Sequence, residues 1–493
     1  MKSLVNTMEK YLPEVVTKVV VPMLSRVYPF MANGQQTSRE NNLVPQGYLS
    51  KQADTKPQKK WHGTIGIIGL DPTKVVTLNK SIVEYGNSIG FTDDQQFPEI
   101  LSIGIKSDKA WYLEDQANLC NDMGCDVVAV AGDVGKDLVL KTRLETANHP
   151  LPLLFLNKQD MKGLAKEALD YARKIEHPRR PNLLYSEDGG DFGKEEKGVN
   201  DNLALDIRNR GKRSKEREQH GGGYPFLKNV VFGGIIGGGG PLASADFCEK
   251  LAKTTIPFIH YSVNSAPGKY RFEMSKGPSF VNHYRNAVSL FNGLGAAFLA
   301  VPCNTAHKRA EEFCGESMPK LIDIRESVLG SNQNAEGFIL LGTKITTGVG
   351  MPTGVIGTYE SIREKFPEQG PFHVPSPTQQ GVIMDSIYDV KAGRLEVAKE
   401  KILKVVDEMR STYGHLPVIL ACTELPLANF EPLELVGLKL IDPAESLASK
   451  AADRVEIAKL KARERPASST IPREVNVRPV VWENDLDLGE RRD

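Results

Sequence analysis

The sequence has few cysteines, no long hydrophobic run and no net charge, and each absence excludes a class of protein. Six cysteines among 493 residues are too few for a disulfide framework, and no CxxC or Cys/His spacing predicts a metal site. No run of about 18 apolar residues occurs, so no membrane span is expected. Basic and acidic residues number 62 each, so no overall field favours nucleic acid or an anionic membrane. We therefore expect a small-molecule partner and a reducing compartment.

Three stretches of the chain are expected to lie outside the folded parts, and the first of them is polar and lacks periodicity over residues 31–60. Residues 1–60 are typical of a flexible N-terminal segment, residues 177–228 of a charged, glycine-rich linker and residues 456–493 of a charged tail. The N-terminal segment contains acidic residues and no cleavage site, so we expect a cytoplasmic location, with organellar targeting left open. Residues 208–217, RNRGKRSKER, allow a nuclear-localisation or nucleic-acid interpretation, but adjacent acidic clusters and the lack of aromatic residues favour a solvated insert.

The other two parts, residues 61–176 and 229–455, alternate short apolar runs with segments of helical periodicity. GTIGIIGL at residues 63–70 and DVVAV at residues 126–130 are typical of buried strands, and residues 161–175 have helical spacing. Such alternation predicts an α/β fold with parallel sheets covered by helices.

The two parts also match each other at nearly constant offsets of 168, 171 and 167 positions. The matching pairs are Gly66 and Gly69 with Gly234 and Gly237, residues 121–133 with 292–304, and residues 151–155 with 318–322. Constant offsets predict an internal duplication. The first copy has Gly132 where the second has Cys303. We therefore expect residues 61–176 to form a degenerate lobe without chemistry of its own.

Two similar motifs in residues 229–455 predict that this part of the chain carries the active site. VPCNTAH (residues 301–307) and ILACTELPL (residues 419–427) each carry a cysteine and small polar residues after an apolar run, and Cys303 and Cys422 lie 119 positions apart. Each run predicts a buried parallel strand. Open α/β sheets bind ligands at the carboxyl ends of their strands. We expect the two cysteines to face each other across one pocket.

Two thiols on opposite sides of one carbon suit stereoinversion. A thiolate removes the α-proton from one face while a thiol delivers a proton to the other, and exchanging the roles reverses the reaction. A free cysteine, with a pKa of about 8.5, has a few per cent thiolate at neutral pH, and a helix beginning after each cysteine would stabilise more. Inert, buried cysteines are the alternative. The matching contexts of Cys303 and Cys422 favour a functional role.

The two cysteine motifs, together with IIGGGGPLAS at residues 235–244, resemble the cofactor-independent aspartate/glutamate racemase superfamily. The aspartate racemase and broad amino-acid racemase branch is the most similar. The resemblance covers residues 230–448, with residues 63–157 as a degenerate half-copy. It implies two Rossmann-like lobes around one active site, frequent homodimers, no pyridoxal phosphate or other cofactor, and an amino acid as partner. It further implies that Cys303 and Cys422 are the acid/base pair that interconverts L- and D-aspartate, or a related acidic or polar amino acid.

The same resemblance implies substrate-binding roles for further residues. Those that would hold the α-carboxylate and amino group are Asn304, Thr305 and Thr423. Lys391 matches a family lysine that lies near the second carboxylate. Lys269 stands where the branch usually has arginine, and lysine keeps the charge but loses the bidentate fork. For both lysines, a solvated surface position is the alternative.

Other functions stay open from the sequence alone. Gly238, Gly240 and Ala243 satisfy a relaxed dinucleotide fingerprint, although residues 251–272 contain no acidic residue to hold a ribose. His307, four positions after Cys303, allows a Cys-His hydrolase. Related folds isomerise maleate, racemise hydantoins or decarboxylate malonates, the last with one cysteine. An inactive ligand-binding or assembly protein is the alternative outside enzymes.

Overall fold

A computed structural model describes the chain over residues 63–91, 96–107, 111–132, 151–156, 160–175, 224–227, 229–237, 240–264, 279–315, 320–333, 335–430 and 438–463. The flexible segment expected at residues 1–60, most of the linker expected at residues 177–228 and most of the tail expected at residues 456–493 lie outside these described residues, as does Lys269. Residues 456–463 of that tail are instead the end of a helix, Pro443–Arg463.

Strands and helices alternate along the described residues, as the apolar pattern predicts. The N-terminal lobe contains β1 (Ile65–Ile68), α1 (Pro72–Ser88), β2 (Ile100–Gly104), α2 (Trp111–Asp122), β3 (Val127–Val130), β4 (Leu153–Phe155) and α3 (Met161–Lys174). The next lobe, called the middle lobe, contains β5 (Gly233–Gly237), α4 (Pro241–Lys253), β6 (Phe258–Ser262), α5 (Ser279–Leu294), β7 (Phe298–Ala300), α6 (Ala310–Cys314), β8 (Leu321–Ile322) and α7 (Ile324–Ser331). The C-terminal lobe contains β9 (Phe338–Gly342), α8 (Lys344–Thr347), β10 (Phe372–His373), α9 (Pro377–Lys391), α10 (Leu395–Tyr413), β11 (Val418–Ala421) and β12 (Leu440–Ile441), followed by α11 (Pro443–Arg463).

The strands form mostly parallel sheets. Within the described residues, the N-terminal and middle lobes share one eight-stranded sheet in the order β4-β3-β1-β2-β6-β5-β7-β8, and the C-terminal lobe has a four-stranded sheet in the order β10-β9-β11-β12. Neighbours in both sheets are parallel, with the exception of β2 and β6, which pair antiparallel. The chain is therefore an α/β protein of the expected class, with its N-terminal lobe joined edge to edge to the middle lobe.

Local sequence signals explain where the helices begin. Asp71 caps α1 by accepting a hydrogen bond from the Thr73 amide, and a proline follows at the first helical position. At α9, Ser376 and Gln379 form a reciprocal capping box. Such caps satisfy amides that have no partner inside the helix.

In the sequence, apolar residues at Val397, Ile402, Val405 and Met409 predict a helix over residues 395–413 with these side chains buried, and helix α10 spans Leu395–Tyr413. Ile402, Val405 and Met409 are buried as expected. Val397 is a correction, because it is 45% exposed while its neighbour Ala398 is buried. It lies in the first turn, where Ala398 is the side chain buried in the core of the lobe.

Helix α11 ties the C-terminal lobe back to the middle lobe. After β12 the chain returns, and Ala444, Leu447 and Ala451 are buried in one core with Phe247 and Phe298. Helix α11 also contacts both β7 and β11, so this return fixes the two lobes against each other. Among the described helices, none combines the length and the hydrophobicity of a membrane-spanning segment.

Candidate active site

The two cysteines lie in matching turns at the ends of two strands. Cys303 follows β7 and Cys422 follows β11, and only 4% and 3% of their surfaces are exposed. Each cysteine donates its backbone amide to the carbonyl two positions earlier, Val301 or Leu420, at 2.8 Å in both cases. Both turns therefore release the thiol in the same backbone geometry, one from each sheet.

The segment after each cysteine corrects one expectation. The sequence predicts a helix directly after the thiol, but a short 3₁₀ turn begins three residues later in both places, Ala306–Arg309 and Leu425–Ala428. At the first turn, the ring of His307 takes the carbonyl of Cys303 that its own amide would use in an α-helix. A four-residue 3₁₀ turn has little macrodipole, so stabilisation of a thiolate by a long helix does not apply here.

Direct contacts join the two cysteine turns. The Thr423 hydroxyl, next to Cys422, donates to the carbonyl of Pro302, next to Cys303, at 3.1 Å. Three hydroxyl groups make a second link between the lobes. Their oxygen–oxygen distances are 2.9 Å for Thr305 and Thr343, 3.0 Å for Thr343 and Thr346, and 3.4 Å for Thr305 and Thr346. The strand ends of the two sheets are thus held in one place.

A buried tyrosine, Tyr359, orients the side chain of Asn304. The Tyr359 hydroxyl donates to Oδ1 of Asn304 at 2.9 Å. This bond assigns the carbonyl end of the amide and turns Nδ2 the other way. Asn304 is 1% exposed, and Nδ2 has no hydrogen-bond partner among the described residues. A buried, unpaired donor is costly unless a ligand uses it, so this atom is a candidate contact for an anionic group.

His307 is fully engaged by backbone groups. Its Nε2 accepts from the Ile324 amide at 3.3 Å, which places the ring proton on Nδ1, where it is donated to the Cys303 carbonyl at 2.9 Å. Burial lowers the pKa of this histidine and keeps it neutral. Neither nitrogen is available to deprotonate the Cys303 thiol, so the geometry does not fit the Cys-His hydrolase.

A carboxylate and a lysine lie beside the second cysteine. The Cys422 thiol donates to Oε2 of Glu424 at 2.8 Å, and Nζ of Lys391 lies 3.7 Å from Oε1. Glu424 is 1% exposed, and the Lys391 side chain is 11% exposed. A carboxylate this deep in the protein is stabilised by such partners. Cys422 therefore carries its proton in this arrangement.

Gly240, the last glycine before α4, lies close to the same carboxylate. A Cβ on Gly240 would lie 2.1 Å from Oε1 of Glu424, so only glycine fits this contact. Gly240 is also the N-cap of α4, and a carboxylate near a helix N-terminus is favourable. The position that a dinucleotide phosphate would need is thus occupied by a negative charge. This contact disfavours the dinucleotide-binding alternative.

A cleft opens at this point between three parts of the chain. Its walls include Gly240 of the middle lobe, Lys391 and Glu424 of the C-terminal lobe, and Val83, Asn87 and Phe97 of the N-terminal lobe. The cleft therefore lies beside Cys422 and its carboxylate.

Most of the site residues expected from sequence meet at the joined strand ends. Cys303, Asn304 and Thr305 follow β7, Cys422 and Thr423 follow β11, and Lys391 reaches the cleft from the end of α9. Lys269 lies outside the described residues and stays a prediction.

Other residues of the site were missed. The sequence signals that could have indicated them are the run of threonines at residues 343–347 and the Cys-Thr-Glu motif that contains Glu424. Tyr359 and the residues from the N-terminal lobe carry no local signal, since only the fold brings them to the site.

Comparison with known proteins finds a protein family that matches part of the chain. Residues 236–451 match the family described as Asp/Glu/Hydantoin racemase. The broad specificity amino-acid racemase RacX of Bacillus subtilis (strain 168) is 28% identical over 129 residues, which cover 23% of this chain and 55% of RacX. The chain thus spans about half the length of that curated relative.

Solved structures are similar at low identity. Picrophilus torridus aspartate racemase is 24% identical, with a TM-score of 0.39 and coverage of 46% of this chain and 94% of that one. An aspartate racemase homologue from Pyrococcus horikoshii OT3 is also 24% identical, with a TM-score of 0.37 and coverage of 46% and 100%.

Proposed function

Residues 236–451 are a domain of the Asp/Glu/hydantoin racemase family, and from this premise we propose that the chain is an amino-acid racemase that inverts the α-carbon with two cysteines and without pyridoxal phosphate. The substrate is aspartate or a related acidic or polar amino acid. One observation carries the proposal: the Thr423 hydroxyl bonds to Pro302 at 3.1 Å, which joins the matching turns of Cys303 and Cys422.

The hydrogen bond of Cys422 assigns a role to each thiol in the proposed mechanism. Cys422 holds its proton against Glu424 at 2.8 Å and is the acid, so Cys303 is the base for the enantiomer whose α-hydrogen faces it. The Cys303 thiolate takes that hydrogen as a proton, and Cys422 gives its proton to the opposite face of the carbanion. Cys422 then becomes the thiolate, and the enzyme is set for the reverse reaction.

The polar groups around the thiols suit the two ends of an amino acid. Nδ2 of Asn304 is a buried donor for the α-carboxylate. The Thr423 hydroxyl donates a hydrogen bond to the Pro302 carbonyl, so its oxygen is left as an acceptor for the α-ammonium group. Thr305 acts with them through the hydroxyl cluster that it forms with Thr343. Lys391 and Lys269 would bind a side-chain carboxylate.

The experiment follows the α-hydrogen in deuterated water. The protein is incubated separately with L- and D-aspartate, then with other amino acids, while NMR records deuteration at the α-carbon and chiral chromatography records inversion. We expect both processes without added cofactor, and no inhibition by a carbonyl reagent. Neither exchange nor inversion with any amino acid would refute the racemase. Turnover of maleate or of a hydantoin instead would assign the related isomerase.

Cysteine variants test the two-base mechanism. Cys303→Ser and Cys422→Ser should each abolish inversion, because one-sided proton transfer cannot invert a centre; loss of such a group costs about 10²–10⁴-fold. Each variant should still exchange the α-hydrogen of one enantiomer, and the two variants should prefer opposite enantiomers. Cys314→Ser is the control, since burial raises the pKa of that thiol to about 12. Full inversion in either serine variant would refute the mechanism.

A further inference from the structure

The strand order of the eight-stranded sheet is the same from either edge when β1 to β4 are exchanged with β5 to β8. In the order β4-β3-β1-β2-β6-β5-β7-β8, each strand of the N-terminal lobe lies as far from the centre as its counterpart in the middle lobe. At the centre, β2 and β6 run antiparallel, and Ser102 pairs with His260 in the middle of their register. This is the arrangement of two subunits around a two-fold axis, built here within one chain.

The helices that follow β1 and β5 obey the same symmetry. Both α1 and α4 begin with a proline, and the ninth residue of one, Lys80, forms an ion pair at 3.0 Å with the ninth residue of the other, Glu249. Val76 of α1 is buried with the core of α4, and Leu242 of α4 packs against the core of the N-terminal lobe. Helices related in this way are antiparallel, so the end of α1 lies at the beginning of α4.

This placement brings the N-terminal lobe to the cleft. Open α/β sheets bind ligands where a strand hands over to the next helix, and α4 begins at that edge. Helix α1 has 17 residues and α4 has 13, so α1 carries an additional turn, and Asn87 lies in it. Asn87 lines the cleft with Gly240, Lys391 and Glu424.

The side chain of Asn87 is suited to bind a ligand. Its backbone carbonyl accepts from the Gly90 amide, and none of the described residues binds its side-chain amide. Lys391, across the cleft, already lies 3.7 Å from Glu424, so its charge is partly balanced. A carboxylate or carboxamide entering between them would gain a neutral donor from Asn87 beside the ammonium group of Lys391.

We propose that the N-terminal lobe is a wall of the amino-acid site, and that Asn87 binds the side-chain carboxylate or carboxamide of the substrate opposite Lys391. This lobe, which has Gly132 where the middle lobe has Cys303, thereby works as a built-in partner subunit, without which the cleft lacks one side. This inference rests on the proposed racemase function and names a specificity-determining residue for it.

Kinetics and calorimetry on the full chain test the role of Asn87. Asn87→Ala should lower kcat/KM for L-aspartate about 10- to 100-fold, mainly through KM, since one hydrogen bond to a charged group is lost. Asn87→Asp should lower it further for aspartate and glutamate by charge repulsion, and much less for neutral amino acids. Glu84→Gln, on the exposed side of the same helix, is the control and should behave as the unaltered protein. Thermal unfolding checks that each variant is folded.

Calorimetric titration with L-aspartate separates this inference from the proposed function. An unaltered protein that exchanges the α-hydrogen, together with Asn87 variants whose KM and binding of L-aspartate stay within twofold, overturns the role of Asn87 alone. An unaltered protein that neither exchanges nor binds any amino acid overturns both proposals. Weaker binding in Asn87→Ala and a changed preference in Asn87→Asp support the inference even if the chemical step is slow.

Discussion

Gly240→Ala tests whether the position of Glu424 controls the chemistry. The added methyl group would lie 2.1 Å from Oε1 and 3.0 Å from Cδ of Glu424, and real Cβ contacts are essentially never shorter than 3.0 Å. The carboxylate must therefore move by about 0.9 Å, the difference between 3.0 and 2.1 Å. The φ angle of Gly240 is 171°, an extended conformation open to any residue, so backbone strain adds nothing.

The size of the effect follows from what holds the carboxylate. Glu424 is 1% exposed and accepts from the Cys422 thiol at 2.8 Å, so a shift of this size breaks or bends a buried bond to a charged acceptor. Such a bond contributes about 1.5–3 kcal/mol. If it is needed to place the Cys422 proton during inversion, the rate falls about 10- to 150-fold.

The assay is α-deuteration of L-aspartate by each variant, with thermal unfolding alongside. Gly381→Ala is the matched control, because a Cβ there meets nothing within 4 Å and the residue is exposed on α9, the helix that also carries Lys391. Combining Gly240→Ala with Glu424→Asp shortens the carboxylate and relieves the clash, so the two changes together should cost less than the product of their separate effects. Equal activity of Gly240→Ala and Gly381→Ala would refute the reasoning.

Two further predictions concern buried polar groups. Tyr359→Phe should raise KM for L-aspartate about tenfold, because Asn304 loses the bond that orients its amide and one buried acceptor stays unsatisfied; an unchanged KM would contradict the role given to Asn304. His260 and His307 are both neutral when folded, since burial lowers the pKa of the first to about 3 and also lowers that of the second. Below about pH 6.5 these histidines take up protons in the unfolded chain but not in the folded one. The free energy of unfolding should therefore decrease as the pH is lowered, by about 1.4 kcal/mol per pH unit for each histidine. In urea unfolding between pH 7 and 5, His260→Leu should remove about half of that slope, and an identical slope would refute the assignment.

The features that sequence predicts well here are local ones. The apolar stripe of α10 and the apolar runs of β7 and β11 lie within short windows, where periodicity alone separates helix from strand. Cys303 and Cys422 stand directly after such runs, so their placement at strand ends followed from the same pattern. Thr305 and Thr423 were predicted to contact the substrate, but they also form hydrogen bonds between the lobes. The sequence pattern could not specify those bonds, because they depend on how the two sheets meet.

Long-range pairing is the part that the sequence does not specify. The antiparallel match of Ser102 with His260 joins residues 158 positions apart, and no periodicity encodes which edges of two sheets will meet. The role of Asn87 follows only from that pairing, because its helix reaches the cleft across the centre of the sheet. Constant offsets predicted a duplication; the palindromic strand order is what a duplicated lobe docked on its copy would produce.

The ion pair at the centre of this arrangement gives a physical reason for having both lobes in one chain. In a symmetric dimer of identical subunits, equivalent positions beside a two-fold axis carry the same residue, so two lysines or two glutamates would face each other and repel. Here the ninth residues of α1 and α4 differ, and Lys80 faces Glu249 at 3.0 Å. The same freedom lets α1 extend to Asn87 while α4 stays short. Joining two lobes covalently allows one to carry the thiol of Cys303 and the other to form the proposed wall of its site, which identical subunits cannot do without changing both.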